Sequence, residues 1–286
     1  MDNLKAKKRH PEEIAVYSAI YVCAAFSVLL LLGIIVYVFA KGVRRVNWAF
    51  LTGVTSILHG TVGIAGNILN TLIIILLTMI ITTPIGVGAA IYLNEYAKPG
   101  KLVTVIIFAT ETLAGIPSII FGLFGMLFFG QLCHMGYSLL TGSLTLTLMV
   151  LPLVTRNTQE ALKTVPDSFR TGAVGLGAGK WYTIRTILLP SAMPGIVTGV
   201  ILAIGRIIGE SAALLFTAGS AHLLPKTFDA FLEKIFHSGG TLTIQLYLSA
   251  SKGEFEVAFG IAVVLLVIVL LINFGTKRLA KKLEKH

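Results

Sequence analysis

Two charged side chains in an otherwise apolar stretch are the residues best placed to do chemistry in this sequence. Arg206 and Glu210 lie four residues apart between positions 190 and 218, among mostly apolar or small residues. A charge at the centre of a lipid bilayer costs from about 2.5 to more than 10 kcal/mol. If this stretch crosses a membrane, both charges need a partner or a polar cavity.

Helical periodicity places the two charges on a face of small residues. At about 100° per residue, one side of the helix collects several positions that lie three or four apart. These positions are Gly195, Gly199, Ala203, Arg206, Glu210, Ala213 and Thr217. Small residues let helices approach closely, so we expect this face to point into a protein interface or a cavity and not into lipid.

Two interpretations of the pair remain open. Residues four apart in a helix can form an ion pair that serves only assembly. Alternatively, Arg206 lines a translocation path, where the fork of its guanidinium group matches two oxygens of an oxyanion. In that case Glu210 would keep the anion from binding too tightly or would pair with an arginine of a partner subunit.

Other candidates for chemistry are weaker. Glu111, in a second apolar stretch, is either part of the same path or a hydrogen-bonded packing residue. No nucleophile–base set points to an enzyme, and the histidines and cysteines lack metal-ligand spacing. They include the four histidines in the predicted outer loops, His59, His134, His222 and His237, and both cysteines, Cys23 and Cys133. We therefore expect no catalytic site, no metal and no cofactor bound by this chain, and we expect both cysteines to be small apolar packing residues.

The composition indicates which elements carry these residues. The chain has 286 residues, of which 55% are hydrophobic and only 13% charged, and its mean hydropathy is +0.87. A membrane-spanning helix needs about 20 mostly apolar residues. Six segments meet this requirement and predict an all-α polytopic membrane protein: 14–40, 67–93, 102–129, 137–154, 190–218 and 257–275. Alternating threonines in the fourth also suit a strand, but we predict a helix, and we expect Pro84 and Pro117 to kink theirs.

The positive charge of the chain is an orientation signal. The formal net charge is +10. With the N-terminus inside, sixteen of the 23 lysines and arginines fall in inner segments, six fall in outer loops, and Arg206 lies within a span. The excess predicts that both termini, including a basic tail at 1–13, are cytoplasmic. Because the basic residues follow this topology, nucleic-acid binding is not expected.

The inner segment 156–189 contains a predicted short helix. Pro166, Asp167 and Ser168 are a helix-start signal. Phe169, Ala173 and Leu176 then recur at helical spacing, and the glycines at 175, 177 and 179 end the helix. Such an amphipathic helix either rests on lipid or docks in the groove of a partner. The run 175–180 resembles a phosphate-binding loop but has Val174 and Trp181 where that motif needs Gly and Ser or Thr.

This segment resembles the EAA loop of ABC importer permeases. The second half of that signature, G-x9-I-x-L-P, is matched by Gly177, Ile187, Leu189 and Pro190. Its E-A-A residues would fall on Thr171, Gly172 and Ala173, so the chain departs from the signature at the first two positions. The resemblance implies a type I importer fold in which the loop helix docks on a separate ATPase. Phe169, Arg170 and Ala173 would lie at the docking surface, and Gly177 would permit the turn behind it.

Further segments are similar to the PstA-type permeases of phosphate importers, namely 83–93, 113–125, 189–199 and 209–218. This resemblance implies a single permease domain over 1–286, with its core at 67–276, in the inner membrane of a prokaryote. Its implied partners are a second homologous permease, two cytoplasmic ATPase subunits that use ATP and Mg²⁺, and an external phosphate-binding protein. The alternatives are a permease for another oxyanion, such as molybdate or sulfate, and an ion-coupled secondary transporter.

The outer loop 219–256 contains a second predicted short helix. Phe228, Phe231, Leu232 and Ile235 recur at helical spacing. This pattern is typical of a helix at the membrane surface, either beside a docked binding protein or simply resting on lipid.

Overall fold

A computed structural model of the chain describes residues 11–56, 61–225 and 227–283. Most of the predicted basic tail at 1–13, together with His59, Lys226 and Lys285, lies outside the described residues. The long helices are α1 (Pro11–Gly42), α3 (Ala65–Ile91), α4 (Lys101–Gly115), α6 (Leu139–Lys163), α9 (Leu189–Gly209) and α13 (Phe255–Leu283). The shorter helices are α2 (Trp48–Thr52), α5 (Ser118–Gly125), α7 (Asp167–Gly175), α8 (Lys180–Thr183), α10 (Ala212–Thr217), α11 (Phe228–Glu233) and α12 (Leu242–Ser251).

Several of these helices are extended by irregular turns. π-helical turns follow α3, α5 and α8, over Tyr92–Tyr96, Met126–Leu132 and Ile184–Leu188. Short 3₁₀ turns cover Val43–Arg45 and Lys234–Phe236. A small antiparallel sheet joins β1 (Val54–Ser56) to β2 (Thr61–Ile64).

Five helices are long and apolar enough to cross a membrane. The bent pair formed by α4 and the helix that begins at Ser118 gives a sixth span if the pair is counted as one. This finding applies to the described part of the chain and supports the predicted helical membrane fold. The fourth segment is helix α6, and the strand alternative is wrong. Its threonine hydroxyls bond within the helix, as when Thr145 donates to the Thr141 carbonyl at 2.8 Å.

The predicted third span, 102–129, is a broken helix and not one kinked helix. α4 ends at Gly115, and the helix that begins at Ser118 is turned by 103° from it. Ile116 and Pro117 between them have extended backbones. A proline disfavours helical geometry in the residue before it and offers no N–H to the preceding turn, which accounts for the break. Pro84, in contrast, lies within continuous α3.

The predicted fifth span, 190–218, is displaced and interrupted. The helical segment begins at Lys180, ten residues before the predicted start, and ends at Gly209. Glu210 follows with an extended backbone (φ −80°, ψ 124°), and α10 begins at Ala212. The Glu210 carboxylate accepts a hydrogen bond from the Ala213 N–H at 3.1 Å. A side chain that caps the next helix in this way competes with continuation of the previous one.

The centre of the fold is the packing of α3, α6 and α9. The face of small residues predicted on α9 does lie against protein. A Cβ atom added to Gly195 would come within 2.5 Å of the Ala161 Cβ, and one added to Gly199 within 2.6 Å of the Asn157 Cβ. Glycine is therefore needed for this close approach of α9 to α6.

Helix α1 differs from the others because it packs only along one side. It lies against α13, where Tyr37 makes an edge-to-face contact with Phe259. The hydrophobic side chains along most of its length are exposed. Cys23 on this helix and Cys133 after α5 are also exposed, so neither of the cysteines predicted as packing residues is buried within this chain.

Candidate functional site

A cavity of about 470 Å³ opens between α4, α6 and the end of α9. Its lining consists of Leu93, Ile107, Thr110, Glu111, Leu113, Ala114, Met149, Pro152, Leu153, Arg156, Gln159 and Arg206. Most of these side chains are apolar, and the charged ones are two arginines and one glutamate. A mainly apolar pocket with a few convergent polar groups is the usual form of a small-molecule site.

Arg206 lines this cavity. It occupies the last turn of α9 and its side chain is exposed to the cavity. Within the described parts of the chain, its guanidinium group has neither an ion pair nor a hydrogen bond. The donors of this cation are therefore open to a ligand.

Glu210 lies apart from Arg206. It is buried, its carboxylate caps α10 through the Ala213 N–H, and its carbonyl accepts a hydrogen bond from the Thr243 hydroxyl at 2.9 Å. It does not line the cavity. The alternative in which Glu210 forms an intrahelical ion pair with Arg206 is wrong, because α9 ends at Gly209, between the two residues.

Glu111 enters the cavity paired with an arginine that sequence reasoning assigned to the inner loop. Its carboxylate lies 3.4 Å from a guanidinium nitrogen of Arg156, and both side chains are more than half exposed. The charges continue along α6, with Arg156 3.5 Å from Glu160 and Glu160 3.2 Å from Lys163. Exposed pairs of this kind are worth little individually, so Arg156 can exchange Glu111 for another anion at low cost.

The predicted fourth span ends at Val154 and therefore does not include Arg156 as a cavity residue. In the structure α6 continues to Lys163. The residues Met149, Leu153 and Arg156 follow one another at spacings of four and three, and all line the cavity. This helical spacing is the sequence signal that could have identified Arg156.

The predicted inner helix is α7, and its end is formed by Gly177. The Gly177 N–H donates to the Val174 carbonyl at 2.9 Å, and the Ala178 N–H donates to the Ala173 carbonyl at 2.9 Å. Gly177 has a φ of +79°. This pattern is a Schellman motif, in which the residue after the helix adopts a left-handed conformation that favours glycine.

Arg170 faces the interior of the chain, which differs from its predicted place at a docking surface. Its guanidinium group donates to the Glu95 carboxylate at 2.9 Å and to the carbonyls of Leu162 and Val165 at 3.0 Å. It also contacts the exposed carboxylate of Asp167 at 3.1 Å. The hydrogen bond with Glu95 is the main cause that raises the pKa of Arg170.

The other residues matched to the EAA signature divide between the surface of α7 and its interior. Ala173 is only 5% exposed, so it faces the chain and not a partner. Thr171 and Gly172 are exposed, and the Thr171 hydroxyl donates to the Asp167 carbonyl at 3.2 Å. Phe169 and Val174 are exposed, and Leu176 is 91% exposed. The apolar surface that α7 offers to a partner is therefore formed by Phe169, Val174 and Leu176.

Ile187, Leu189 and Pro190 lie in the helical segment that leads into the membrane and not in a loop. Ile187 is in the π-helical turn Ile184–Leu188, and Leu189 packs against the buried residues that surround this turn. Pro190 is the second residue of α9 and lies inside the helical segment that runs from Lys180 to Gly209. The three residues therefore lie within this span and do not mark its start.

The segment predicted as the long outer loop contains the short helix α11, and the apolar residues of this helix face two ways. Phe231 and Ile235 pack against the core, whereas Phe228 and Leu232 are exposed. Lys234 is buried and donates to the Leu223 carbonyl. Burial lowers the pKa of this lysine, and the bond attaches α11 to the preceding loop.

Comparison with known proteins identifies related chains. The family described as "Binding-protein-dependent transport system inner membrane component" matches residues 82–286. The probable ABC transporter permease protein YqgI of Bacillus subtilis (strain 168) is 36% identical over 273 residues, which are 92% of this chain and 93% of that protein. The phosphate transport system permease protein PstA of Xylella fastidiosa (strain Temecula1 / ATCC 700964) is 34% identical over 244 residues, covering 84% of this chain and 82% of that protein.

A solved structure shares the fold at low sequence identity. It is the crystal structure of a bacterial alginate ABC transporter in complex with an alginate pentasaccharide-bound periplasmic protein. One of its chains superimposes with a TM-score of 0.71 at 14% identity, and 96% of each chain is covered. At this identity the likeness concerns the fold alone.

Proposed function

The chain belongs to the family of binding-protein-dependent transport system inner membrane components, and we propose that it is a permease subunit of an ATP-driven importer of inorganic phosphate. Membership of this family makes it a multi-pass component of the inner membrane and not itself an enzyme. The family leaves the cargo open, so the cargo has to be argued from the cavity and from the relatives.

The observation that carries the proposal is that Arg206 lines the cavity and has no ion-pair or hydrogen-bond partner among the described residues. A guanidinium group binds phosphate through two parallel hydrogen bonds, and such charge-assisted bonds are roughly twice as strong as neutral ones. Phosphate transport permeases, among them that of Xylella fastidiosa, are similar to this chain over most of its length. The chemistry of the cavity and the names of these relatives both favour phosphate as the cargo.

The remaining polar groups of the cavity suit transient binding. Arg156 offers a second cation, and Glu111 competes with the anion for it. A transported anion must leave as readily as it enters, which favours weak and exchangeable contacts. Glu210 acts in this proposal by supporting α10 and not by contacting the anion.

In the proposed assembly the chain makes four kinds of contact. The exposed apolar surface of α7 docks on one of two cytoplasmic ATPase subunits, which bind ATP and Mg²⁺; this chain binds neither. A second homologous permease closes the open side of the cavity, an external phosphate-binding protein docks on the outer face, and lipid surrounds the spans. The bent pair counts as one span, which gives six spans and places both termini in the cytoplasm.

Another oxyanion is the competing cargo. The name of the Bacillus subtilis relative gives no substrate, and molybdate and sulfate also suit a guanidinium group. A secondary transporter would use the same charges of the cavity without the docking helix.

The test is uptake by the purified complex in vesicles. We expect labelled phosphate to accumulate only when ATP is present on the ATPase side, and excess phosphate to compete better than sulfate or molybdate. If sulfate or molybdate competed more strongly than phosphate, that anion and not phosphate would be the cargo. Uptake driven by an ion gradient without ATP would refute the ATP-driven importer.

A further inference from the structure

Arg170 and Glu95 form a partly buried ion pair that does not line the cavity. The side chain of Glu95 is 8% exposed and that of Arg170 is 23% exposed. Two nitrogens of the guanidinium group donate to the same carboxylate oxygen, at 2.9 and 3.3 Å. Among the ion pairs of the described residues, this pair is shorter and more buried than those along α6.

The pair joins α7 to two other elements. Glu95 belongs to the π-helical turn Tyr92–Tyr96 that ends α3. The same guanidinium group donates to the carbonyls of Leu162 and Val165, at and just beyond the end of α6. The last carbonyls of a helix lack intrahelical partners. One side chain thus connects the end of α6, the π-helical turn after α3 and the start of α7.

Both of these elements also form walls of the cavity. Leu93 lies two residues before Glu95 and lines the cavity at the end of α3. Gln159 lies three residues before Leu162 and lines it from α6. A displacement of α7 that is transmitted through Arg170 therefore acts on two walls at once, within one helical turn of each.

We propose that the Arg170–Glu95 ion pair is the link through which movement of α7 reaches the cavity walls. This inference rests on the proposed function, in which an ATPase moves α7. Arg170 and Glu95 are positioning residues that contact neither cargo nor nucleotide. The pair suits this role because separating the two charges would leave the carboxylate of Glu95, whose side chain is 8% exposed, without a charged partner, so the joined elements move together.

The chain offers a control on the same guanidinium group. Asp167 also contacts Arg170, but its side chain is 92% exposed. Asp167→Asn removes a solvated charge and leaves the Glu95 pair in place. The test variants are Glu95→Gln and Arg170→Gln, and Arg170→Lys is the conservative variant, which keeps the charge but loses the planar fork.

The first measurement is the ratio of phosphate imported to ATP hydrolysed by the reconstituted complex. We expect Glu95→Gln and Arg170→Gln to copurify with the ATPase and to lower this ratio about tenfold or more. Asp167→Asn is expected to keep the ratio of the wild type, and Arg170→Lys to regain part of what Arg170→Gln loses. An unchanged ratio in both neutral variants, failure of either to copurify, or no gain in Arg170→Lys would overturn the proposal.

The second measurement follows the two elements directly. Spin labels at Lys98 and Ser168, with Cys23 and Cys133 replaced, report the distance between the end of α3 and α7. We expect one narrow distance distribution with and without ATP in the wild type and in Asp167→Asn, and a broadened one in Glu95→Gln. An unchanged distribution in Glu95→Gln would overturn the link. Absence of ATP-driven uptake in the wild type would instead refute the proposed function.

Discussion

At the scale of single residues, Arg206 and Glu210 have different roles although the sequence presents them as a pair. Arg206 is exposed to the cavity, and Glu210 is buried as the cap of α10. The difference arises because the backbone leaves the helix at Glu210. We therefore expect substitution of the arginine to affect uptake and substitution of the glutamate to affect stability.

Arg206→Gln is expected to reduce phosphate uptake by roughly 10- to 100-fold, the loss expected for charge-assisted hydrogen bonds worth about 1.5–3 kcal/mol. Assembly and ATP binding by the complex should remain, because Arg206 has no described partner within the chain. Uptake of labelled phosphate in vesicles is the measurement. Arg44→Gln is the matched control, because Arg44 is exposed and lies in a turn outside the cavity. Near-normal uptake by Arg206→Gln would assign Arg206 to assembly instead.

Glu210→Ala is expected to lower the stability of the chain by about 1 kcal/mol, the usual cost of losing a helix cap. Glu210→Gln retains an oxygen that can accept from the Ala213 N–H, so its thermal midpoint in detergent should lie closer to that of the wild type. Glu233→Ala removes an exposed glutamate and serves as the control. If Glu210→Gln abolished uptake without changing stability, the charge of Glu210 would be part of the translocation path.

At the scale of elements, α7 depends on a turn that glycine makes possible. A Cβ at Gly177 would meet no atom within 4 Å, so the constraint at this position is its φ of +79° and not space. A left-handed backbone costs a residue with a Cβ roughly 1–2 kcal/mol, and a β-branched residue is a clear outlier there.

Gly177→Val is expected to leave the complex assembled but to lower the ratio of phosphate imported to ATP hydrolysed. The reason is that strain in the turn after α7 changes the direction in which the chain continues from the docking surface. Gly177→Asn should be milder, since asparagine visits the left-handed region more readily. Gly175→Ala is the control, because Gly175 is helical, has no positive φ and has open space around it. If Gly177→Val did not change the ratio of phosphate imported to ATP hydrolysed, the turn would tolerate strain without functional loss.

At the scale of the whole molecule, the distribution of lysine and arginine predicts the orientation. A reporter fused after His286 is expected to be active only in the cytoplasm. With Cys23 and Cys133 replaced, a cysteine at Lys252 should react with a membrane-impermeant maleimide from outside, and one at Ser168 only after permeabilisation. Labelling with the opposite pattern would invert the topology and remove α7 from the ATPase side.

The long helices were predictable because their apolar runs exceed the length needed to cross a bilayer. Their ends were less predictable. α6 continues past Val154 because Arg156, Gln159 and Glu160 are good helix formers whose polar side chains can face a cavity or the cytoplasm. A hydropathy profile places the end of a span at such polar residues, although the helix continues beyond them.

By itself, the sequence determined the helical membrane class, the presence and turn chemistry of α7, and the resemblance that the family match later confirmed. These properties depend on local composition and on residues close together in the chain. The tertiary structure alone decided that Arg156 joins Glu111 in the cavity, that Glu210 leaves it, and that Arg170 faces Glu95. The partners in two of these contacts lie 45 and 75 residues apart, and only the packing of helices brings them within hydrogen-bonding distance.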